Sequence, residues 1–488
     1  MKKFKFLAVV IAVLLLLPAY SCGKKAPEYA SGGIVTVEGG KISGYLNEEE
    51  SVAIYKGIPY ASAPVDNLRF KAPKDVESWD GVLDCTLWGA NAIQSPATTF
   101  SYWTEEFIQD TDASHYRNGV VYSEDCLFLN IWSSTKVTED KPVLVFIHGG
   151  GYNSGGASCP VYDGEALAKK DVVFVSVQYR VSVLGYLATD ALSSENDGAG
   201  NFGLLDQIKA LNWVHDNISV FGGNPNDVTI MGQSAGAGSV NAILCSPLAE
   251  GLYSGAVSLS HNSVIEEYPT IRQRISAAPA QLKSKTTEEL RAMTAESFTL
   301  YSISNVGPAI DGYALTENYG KAIDNKRLAD VPLLTGMVAE DNLIYDTYAS
   351  GSVSVVDSLM TLQNYIAIKR QRANYFSDVY IYLFNRNVPQ DDLKTTSAYG
   401  AKHSYELAYF LGNFTKNRKF TETDYQLAAA MQNYLINFCK SGDPNEDGLY
   451  AWENSTGDYS YLNFDENISV LQVPKTDYEK VNDHYKLR

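Results

Sequence analysis

Gly232-Gln233-Ser234-Ala235-Gly236-Ala237-Gly238, directly after the apolar run Val228-Thr229-Ile230-Met231, is the stretch of sequence that decides the fold. The run is typical of a buried strand, and the residues after it are typical of a sharp turn into a helix. Such a turn exposes the central serine hydroxyl at a helix N-terminus, where the helix dipole favours developing negative charge. This context favours Ser234 as a nucleophile. The alternative is a glycine-rich turn in which the serine only caps the helix.

Several segments, the run before the elbow among them, read as strands that are buried on both faces. Their hydrophobicity is continuous instead of alternating, which is the pattern of a parallel sheet covered by helices. They are residues 143–147, 172–177, 228–231, 256–259 and 379–384. Residues 204–220 carry apolar side chains at helical spacing between two of these strands. No composition break marks a linker after residue 33, so we predict one large α/β domain over 33–488.

Composition excludes several classes of protein. The chain has 488 residues, of which 45% are hydrophobic and 20% charged, as in ordinary globular proteins. Its formal net charge of −18 would repel phosphate backbones, so we expect no nucleic-acid partner. The six cysteines include no CxxC pair, which disfavours a structural zinc site. A serine nucleophile such as Ser234 needs neither a metal ion nor an organic cofactor, so we expect neither.

The first residues read as an export signal. Three lysines precede an apolar run at residues 6–17, which is too short to span a bilayer and typical of a signal peptide. The residues around Cys22 resemble a bacterial lipobox, which predicts a signal peptide over 1–22, a lipidated Cys22 and a tether over 23–32. The alternative is ordinary cleavage near Ser21. We therefore expect an exported protein, either a cell-envelope lipoprotein held to the membrane only through Cys22 or a secreted one.

A second glycine-rich segment, His148-Gly149-Gly150-Gly151, also follows an apolar strand directly. Successive glycines leave backbone N–H groups unshielded, which suits the stabilisation of an oxyanion. We predict an oxyanion hole formed by the N–H groups of Gly150, Gly151 and Ala235. A plain glycine turn is the alternative for this segment taken alone.

Together these motifs resemble the type-B carboxylesterases, the cholinesterase-like branch of the α/β-hydrolases. The similarity runs in order from about Gly33 to Pro444 and includes residues 123–131, 148–151, 200–207 and 221–236. It implies the α/β-hydrolase fold, with a mostly parallel central sheet flanked by helices. Fewer residues than is usual in the family separate the acid from the histidine here, which implies that the cap and rim helices over the site are reduced. A departure lies at Gln233, where cholinesterases have glutamate.

The general base can be chosen among the six histidines. The fold's chain order of serine, acid and histidine leaves His261 and His403, and His261 follows the elbow too closely for an acid to precede it. Residues 400–407 also resemble the family's histidine segment, so we predict His403. The family's register places the acid at Asp341, although Glu340 is adjacent and has the family's usual residue type. Both remain candidates for the acid.

The resemblance implies a serine carboxylic ester hydrolase that acts through an acyl-enzyme, with Ser234, His403 and Asp341 as its triad. Its substrate would be a small-molecule or glycan-linked ester. One alternative is a glycan de-esterifying enzyme that removes acetyl or feruloyl groups. Another is a non-catalytic binding protein, since some members of this fold hydrolyse nothing.

The resemblance also implies two structural pairs. The family joins the cysteine at the position of Cys126 to one about thirty residues earlier. That position is alanine here, and Cys85 is close by in sequence, so we expect a Cys85–Cys126 disulfide. We also expect Arg69 to pair with Glu124, as in the family.

Overall fold

A computed structural model describes residues 33–95, 105–136, 140–195, 198–261, 268–341, 353–390, 392, 400–455 and 459–486. The expected signal peptide, Cys22 and the tether fall on residues 1–32, outside the described residues, and stay predictions. No helix in the described ranges is both long enough and apolar enough to cross a membrane.

A central sheet of eleven strands dominates the described part of the chain. In spatial order its strands are β3 (Tyr45–Leu46), β4 (Val52–Pro59), β8 (Phe128–Ser134), β10 (Val173–Val177), β9 (Lys141–Ile147), β11 (Gly223–Gln233), β12 (Gly255–Leu259), β13 (Leu333–Val338), β14 (Val379–Phe384), β15 (Ser460–Phe464) and β16 (Ser469–Gln472). The run from β10 to β15 is parallel throughout, and the strands beyond it on either side are antiparallel. The predicted mostly parallel sheet is confirmed.

Two small sheets lie outside this one. One consists of β1 (Ile34–Val37), β2 (Gly40–Ser43) and β5 (Val82–Asp84), and the other of β6 (Asn91–Ala92) and β7 (Tyr122–Ser123).

The described helices are α1 (Glu165–Ala168), α2 (Ser182–Tyr186), α3 (Asp190–Glu195), α4 (Phe202–Asn217), α5 (Ala235–Leu244), α6 (Ile271–Ala277), α7 (Ala280–Lys283), α8 (Thr287–Arg291), α9 (Tyr319–Asp324), α10 (Val355–Arg372), α11 (Glu406–Leu411), α12 (Glu422–Ser441) and α13 (Lys475–Tyr485). The helix predicted over 204–220 is α4, which begins two residues earlier and ends at Asn217 before the 3₁₀ turn Ile218–Phe221.

The core lies on both faces of the central sheet. Every residue of β9, β10 and β12 is buried, which explains why these strands read as continuous apolar runs. Because neighbouring strands here are parallel, the carboxyl ends of β11, β12 and β13 meet at one edge of the sheet. Ser234, Ser260 and Asp341 come directly after, or within three residues of, those strand ends. These hydroxyl and carboxylate side chains therefore follow strand ends at the same edge of the central sheet.

The expected Cys85–Cys126 disulfide is wrong, because both residues are free and buried thiols. The Arg117 guanidinium donates a hydrogen bond to Cys85 Sγ at 3.6 Å, and burial raises the pKa of that thiol to about 12. Burial also raises the pKa of Cys126, which lies in the field of Arg180 and Asp206. The two sulfurs therefore lie in different surroundings, each as a protonated, unreactive thiol.

The expected pair of Arg69 and Glu124 is confirmed. Two N–H groups of the guanidinium donate to the two carboxylate oxygens at 2.6 and 2.5 Å. The Arg69 side chain also donates to backbone carbonyls at residues 290–293, so this ion pair ties α8 to the segment ahead of β8.

Candidate active site

Ser234 lies at the turn between β11 and α5, with φ 57° and ψ −127°. This left-handed region costs a non-glycine residue about 1–3 kcal/mol, and such strain clusters at functional sites. A Cβ on Gly236 would lie 2.0 Å from the carbonyl oxygen of Ile147, so only glycine allows α5 to start this close to β9. The elbow predicted from the sequence is therefore present. Ser234 is partly exposed, whereas its neighbours in sequence are buried.

The segment after β9 packs directly against this elbow. A Cβ on Gly149 would lie 3.1 Å from Ser234 Cβ and 2.7 Å from the carbonyl oxygen of Gln233. Gly150 and Gly151 follow with φ of 114° and 62°. Among the described residues, neither of their N–H groups donates a hydrogen bond. Two free backbone donors thus lie on the segment that meets the serine.

His403 and Asp341, which are far apart in sequence, form a buried pair. His403 Nδ1 lies 2.8 Å from Asp341 Oδ2, and the two side chains are 2% and 0% exposed. The backbone brings them together, because Glu340 N donates to the Ala401 carbonyl oxygen at 2.9 Å. The Glu340 carboxylate instead contacts the Lys402 ammonium group. Of the two candidate acids, Asp341 is the one in contact with the imidazole.

His148 has a different environment from His403. Its ring is buried, stacks on Tyr179 at 4.4 Å between ring centroids, and places Nδ1 2.8 Å from the Gly149 carbonyl oxygen. Burial lowers the pKa of His148 to about 4, so this imidazole is neutral at pH 7. These contacts hold the start of the glycine segment in place.

A cavity of about 690 Å³ opens onto the elbow. Its described lining residues include Gly151, Ser234 and Ala235 from the two motifs, together with residues of α6 and of the segment 304–308. Such a volume is typical of small-molecule sites. Within the described ranges, no group of three or more His, Cys, Asp or Glu side chains is arranged to hold a metal ion.

Comparison with known proteins assigns the family. The model of the carboxylesterase family matches residues 31–370 and 344–483, nearly the whole chain. The chain belongs to the carboxylesterase family. It is an enzyme that hydrolyses carboxylic esters.

Relatives of this carboxylesterase match it over most of their length. It is 29% identical to an acylcarnitine hydrolase of Rattus norvegicus, over 96% of this chain and 94% of the relative. It is also 29% identical to a para-nitrobenzyl esterase of Bacillus subtilis (strain 168), over 91% of this chain and 97% of that esterase. The solved structure of a thermophilic PNB esterase superposes with a TM-score of 0.75 at 27% identity, covering 92% of this chain and 99% of that one. The α/β-hydrolase fold expected from the sequence is confirmed.

A second carboxylate lies close to the imidazole in this carboxylesterase. Glu406 is completely buried, and its Oε1 accepts a hydrogen bond from Ser260 Oγ at 2.6 Å. Burial raises the pKa of Glu406 to about 7. Burial opposes the charged form of His403, but attraction to Asp341, their hydrogen bond and the charge of Glu406 outweigh it, so the pKa of His403 is raised. The titration of His403 is therefore coupled to Glu406.

Gln233 makes a contact that sequence reasoning missed. Its amide Nε2 lies 3.2 Å from His403 Nε2, and its Oε1 accepts from Ser404 Oγ at 3.1 Å. With a proton on Nδ1 shared with Asp341, Nε2 is the acceptor and the Gln233 amide donates to it. The only sequence signal was the departure from glutamate at this position, and it did not indicate which atom the amide would reach.

Proposed function

We propose that this carboxylesterase hydrolyses small carboxylic esters through an acyl-enzyme on Ser234, with His403 as the base and Asp341 as the acid of its triad. The observation that carries the proposal is the buried contact between His403 Nδ1 and Asp341 beside the strained elbow. That contact leaves His403 Nε2 unprotonated, which is the state a general base needs.

In the first half of the reaction, Ser234 Oγ attacks the ester carbonyl carbon and His403 Nε2 takes the serine proton. The Gln233 amide must release Nε2 for this step. Negative charge then develops on the carbonyl oxygen, where the N–H groups of Gly150, Gly151 and Ala235 would stabilise it. Each such donor contributes about 10²–10³ in rate.

The first half ends when the imidazolium gives the serine proton to the leaving alcohol as the ester C–O bond breaks, which leaves the acyl group on Ser234 Oγ. In the second half, a water molecule, deprotonated by His403, attacks the acyl carbon. The bond from the acyl carbon to Ser234 Oγ then breaks, the imidazolium gives the proton back to Ser234, and the acid is released. Asp341 keeps the proton on Nδ1 throughout and stabilises the imidazolium. Every proton in this cycle is carried by the chain's own residues or by water.

Hydrolysis of p-nitrophenyl acetate and p-nitrophenyl butyrate tests the proposal. We expect turnover of both esters and a pre-steady-state burst of p-nitrophenol of about one equivalent per enzyme whenever deacylation is the slower step. Mass spectrometry of the quenched enzyme should place the acyl group on the peptide that contains Ser234. An acyl group on another residue would contradict the proposal. Activity confined to acetylated or feruloylated glycans would point to glycan de-esterification instead.

The pH dependence follows from the contacts of His403. Because its pKa is raised, kcat/KM should fall on the acid side with an apparent pKa above about 6.5, the ordinary value for imidazole.

Glu406→Gln removes a negative charge that favours the imidazolium, so the acid limb of the pH profile should move to lower pH. The check is the pH profile of kcat/KM for p-nitrophenyl butyrate. Glu317→Gln, which changes a carboxylate paired with Arg327, should leave the profile in place. A limb that stays in place or moves upward in Glu406→Gln would contradict the coupling.

A further inference from the structure

One wall of the cavity contains a buried arginine. Arg274 lies in α6, lines the same cavity as Ser234 and is 1% exposed. Its guanidinium donates to the carbonyl oxygens of Asn305 and Gly307 at 2.6 and 2.7 Å, and more weakly to that of Ser304 at 3.4 Å. Its Nε–H has no acceptor among the described residues.

The other buried arginines of the described ranges are paired differently. Each has a carboxylate oxygen within 4 Å: Arg69 with Glu124, Arg180 with Asp206, Arg370 with Asp330, Arg386 with Asp424 and Arg418 with Glu106. Arg274 has no carboxylate at that distance within the part of the chain that the structure describes. The described residues lining the cavity likewise include no aspartate or glutamate.

A buried cation without a counter-ion is costly, and the carbonyl dipoles around Arg274 offset only part of that cost. Burial lowers the pKa of Arg274 to about 10, so the guanidinium still carries its charge at pH 7. The cavity wall is therefore positive at a place where little water screens the charge. A ligand that brings a negative charge to this wall would supply the counter-ion that the described residues do not provide.

We propose that the cavity selects esters that carry an anionic group, specifically a carboxylate, and that Arg274 is the residue that recognises its charge. The inference rests on the proposed role of Ser234, because the cavity is a substrate site only if the ester reacts there. Arg274 is a specificity-determining residue and takes no part in bond making or breaking. Long-range Coulomb attraction suffices for this role, so the carboxylate need not displace the three carbonyl contacts.

A purely structural role makes a different prediction. Arg274 also anchors the segment 304–308, and loss of that anchor would slow neutral and anionic substrates alike. The ratio of kcat/KM between a charged ester and its neutral isostere cancels this common loss. Monomethyl glutarate and methyl glutaramate form such a pair, since they differ by a carboxylate in place of a carboxamide.

The experiment measures this ratio in the wild type, Arg274→Gln, Arg274→Lys and Arg272→Gln. We expect the wild type to favour the anionic ester by about tenfold or more, and Arg274→Gln to bring the ratio to about one. Arg274→Lys keeps the positive charge and should retain most of the preference. Arg272, two residues earlier in α6, has an 84% exposed side chain that lies 3.6 Å from the carboxylate of Asp190. Its neutralisation should change the ratio by less than about twofold.

The outcomes separate this inference from the proposed function. A wild-type ratio of one or less overturns the anionic preference even if Arg274→Gln does not fold. A ratio that survives in folded Arg274→Gln assigns the preference to another residue and also overturns the inference. Failure of the proposed role of Ser234 would be recognised separately, because Ser234→Ala would then hydrolyse p-nitrophenyl butyrate as fast as the wild type.

Discussion

Ser234→Ala is expected to lower kcat for p-nitrophenyl butyrate on the order of 10⁶-fold. The substitution removes the one atom that would form the acyl-enzyme bond, while the backbone donors beside it remain. A residual rate about 10³–10⁴-fold above that of the uncatalysed reaction in water would survive, because the proposed oxyanion hole and the binding of substrate would be unchanged. The measurement is steady-state hydrolysis with enough enzyme to detect this residual rate.

The fold of this variant should be unchanged. Ser234 N donates to the Leu259 carbonyl oxygen at 2.9 Å, a backbone contact that alanine keeps. Ser246, just beyond the other end of α5, provides a matched control, since its hydroxyl only caps a 3₁₀ turn. Ser246→Ala should retain turnover close to that of the wild type. Equal turnover in Ser234→Ala and the wild type would show that the nucleophile is elsewhere.

Asp341→Asn is expected to lower kcat about 10⁴-fold. An asparagine of the same size keeps the space filled but can donate to Nδ1, which favours the imidazole tautomer with its proton on Nε2. The base would then face Ser234 with the wrong nitrogen protonated. Substitution of a fully buried carboxylate that contacts His403 at 2.8 Å should thus affect chemistry far more than substrate binding.

Glu340→Gln is the matched control for this prediction. Glu340 is adjacent in sequence but contacts Lys402, and its side chain is 41% exposed. We expect kcat to change by less than about threefold, since exposed ion pairs contribute little. A large loss in Glu340→Gln together with a mild effect of Asp341→Asn would assign the acid to Glu340. Thermal unfolding of both variants would show whether either loss reflects the fold.

The acid illustrates where sequence reasoning ends. Family register favoured Asp341, while residue type favoured the adjacent Glu340, and both stayed open. Adjacent side chains on a loop leaving a strand point in different directions, so a shift of one residue decides which reaches the imidazole. Here Glu340 N donates to the Ala401 carbonyl oxygen, and beside this contact Asp341 reaches His403 while Glu340 reaches Lys402. No local pattern in the sequence encodes that long-range contact.

The wrong disulfide has a related cause. The resemblance to the family, together with the closeness of Cys85 to the family's cysteine position, implied a Cys85–Cys126 pair, but a disulfide needs two Cβ atoms within a narrow range and orientation. The fold instead places Arg117 against one sulfur and buries the other near the ion pair of Arg180 and Asp206. The contact of Gln233 with His403, and the absence of a carboxylate beside Arg274 among the described residues, could not be predicted for the same reason. Each depends on residues distant in the chain.

The sequence by itself determined the parallel sheet, α4, the elbow at Ser234 and the family, because these follow from local periodicity, glycine placement and contiguous motifs. Chain order and the resemblance of residues 400–407 to the family's histidine segment also singled out His403 as the candidate base. Only the tertiary structure decided that Asp341 contacts one nitrogen of the His403 imidazole and that Gln233 contacts the other. It also decided that Arg274 lines the cavity with no carboxylate beside it among the described residues. Charge pairing and burial depend on which distant segments meet, and that is a property of the folded chain.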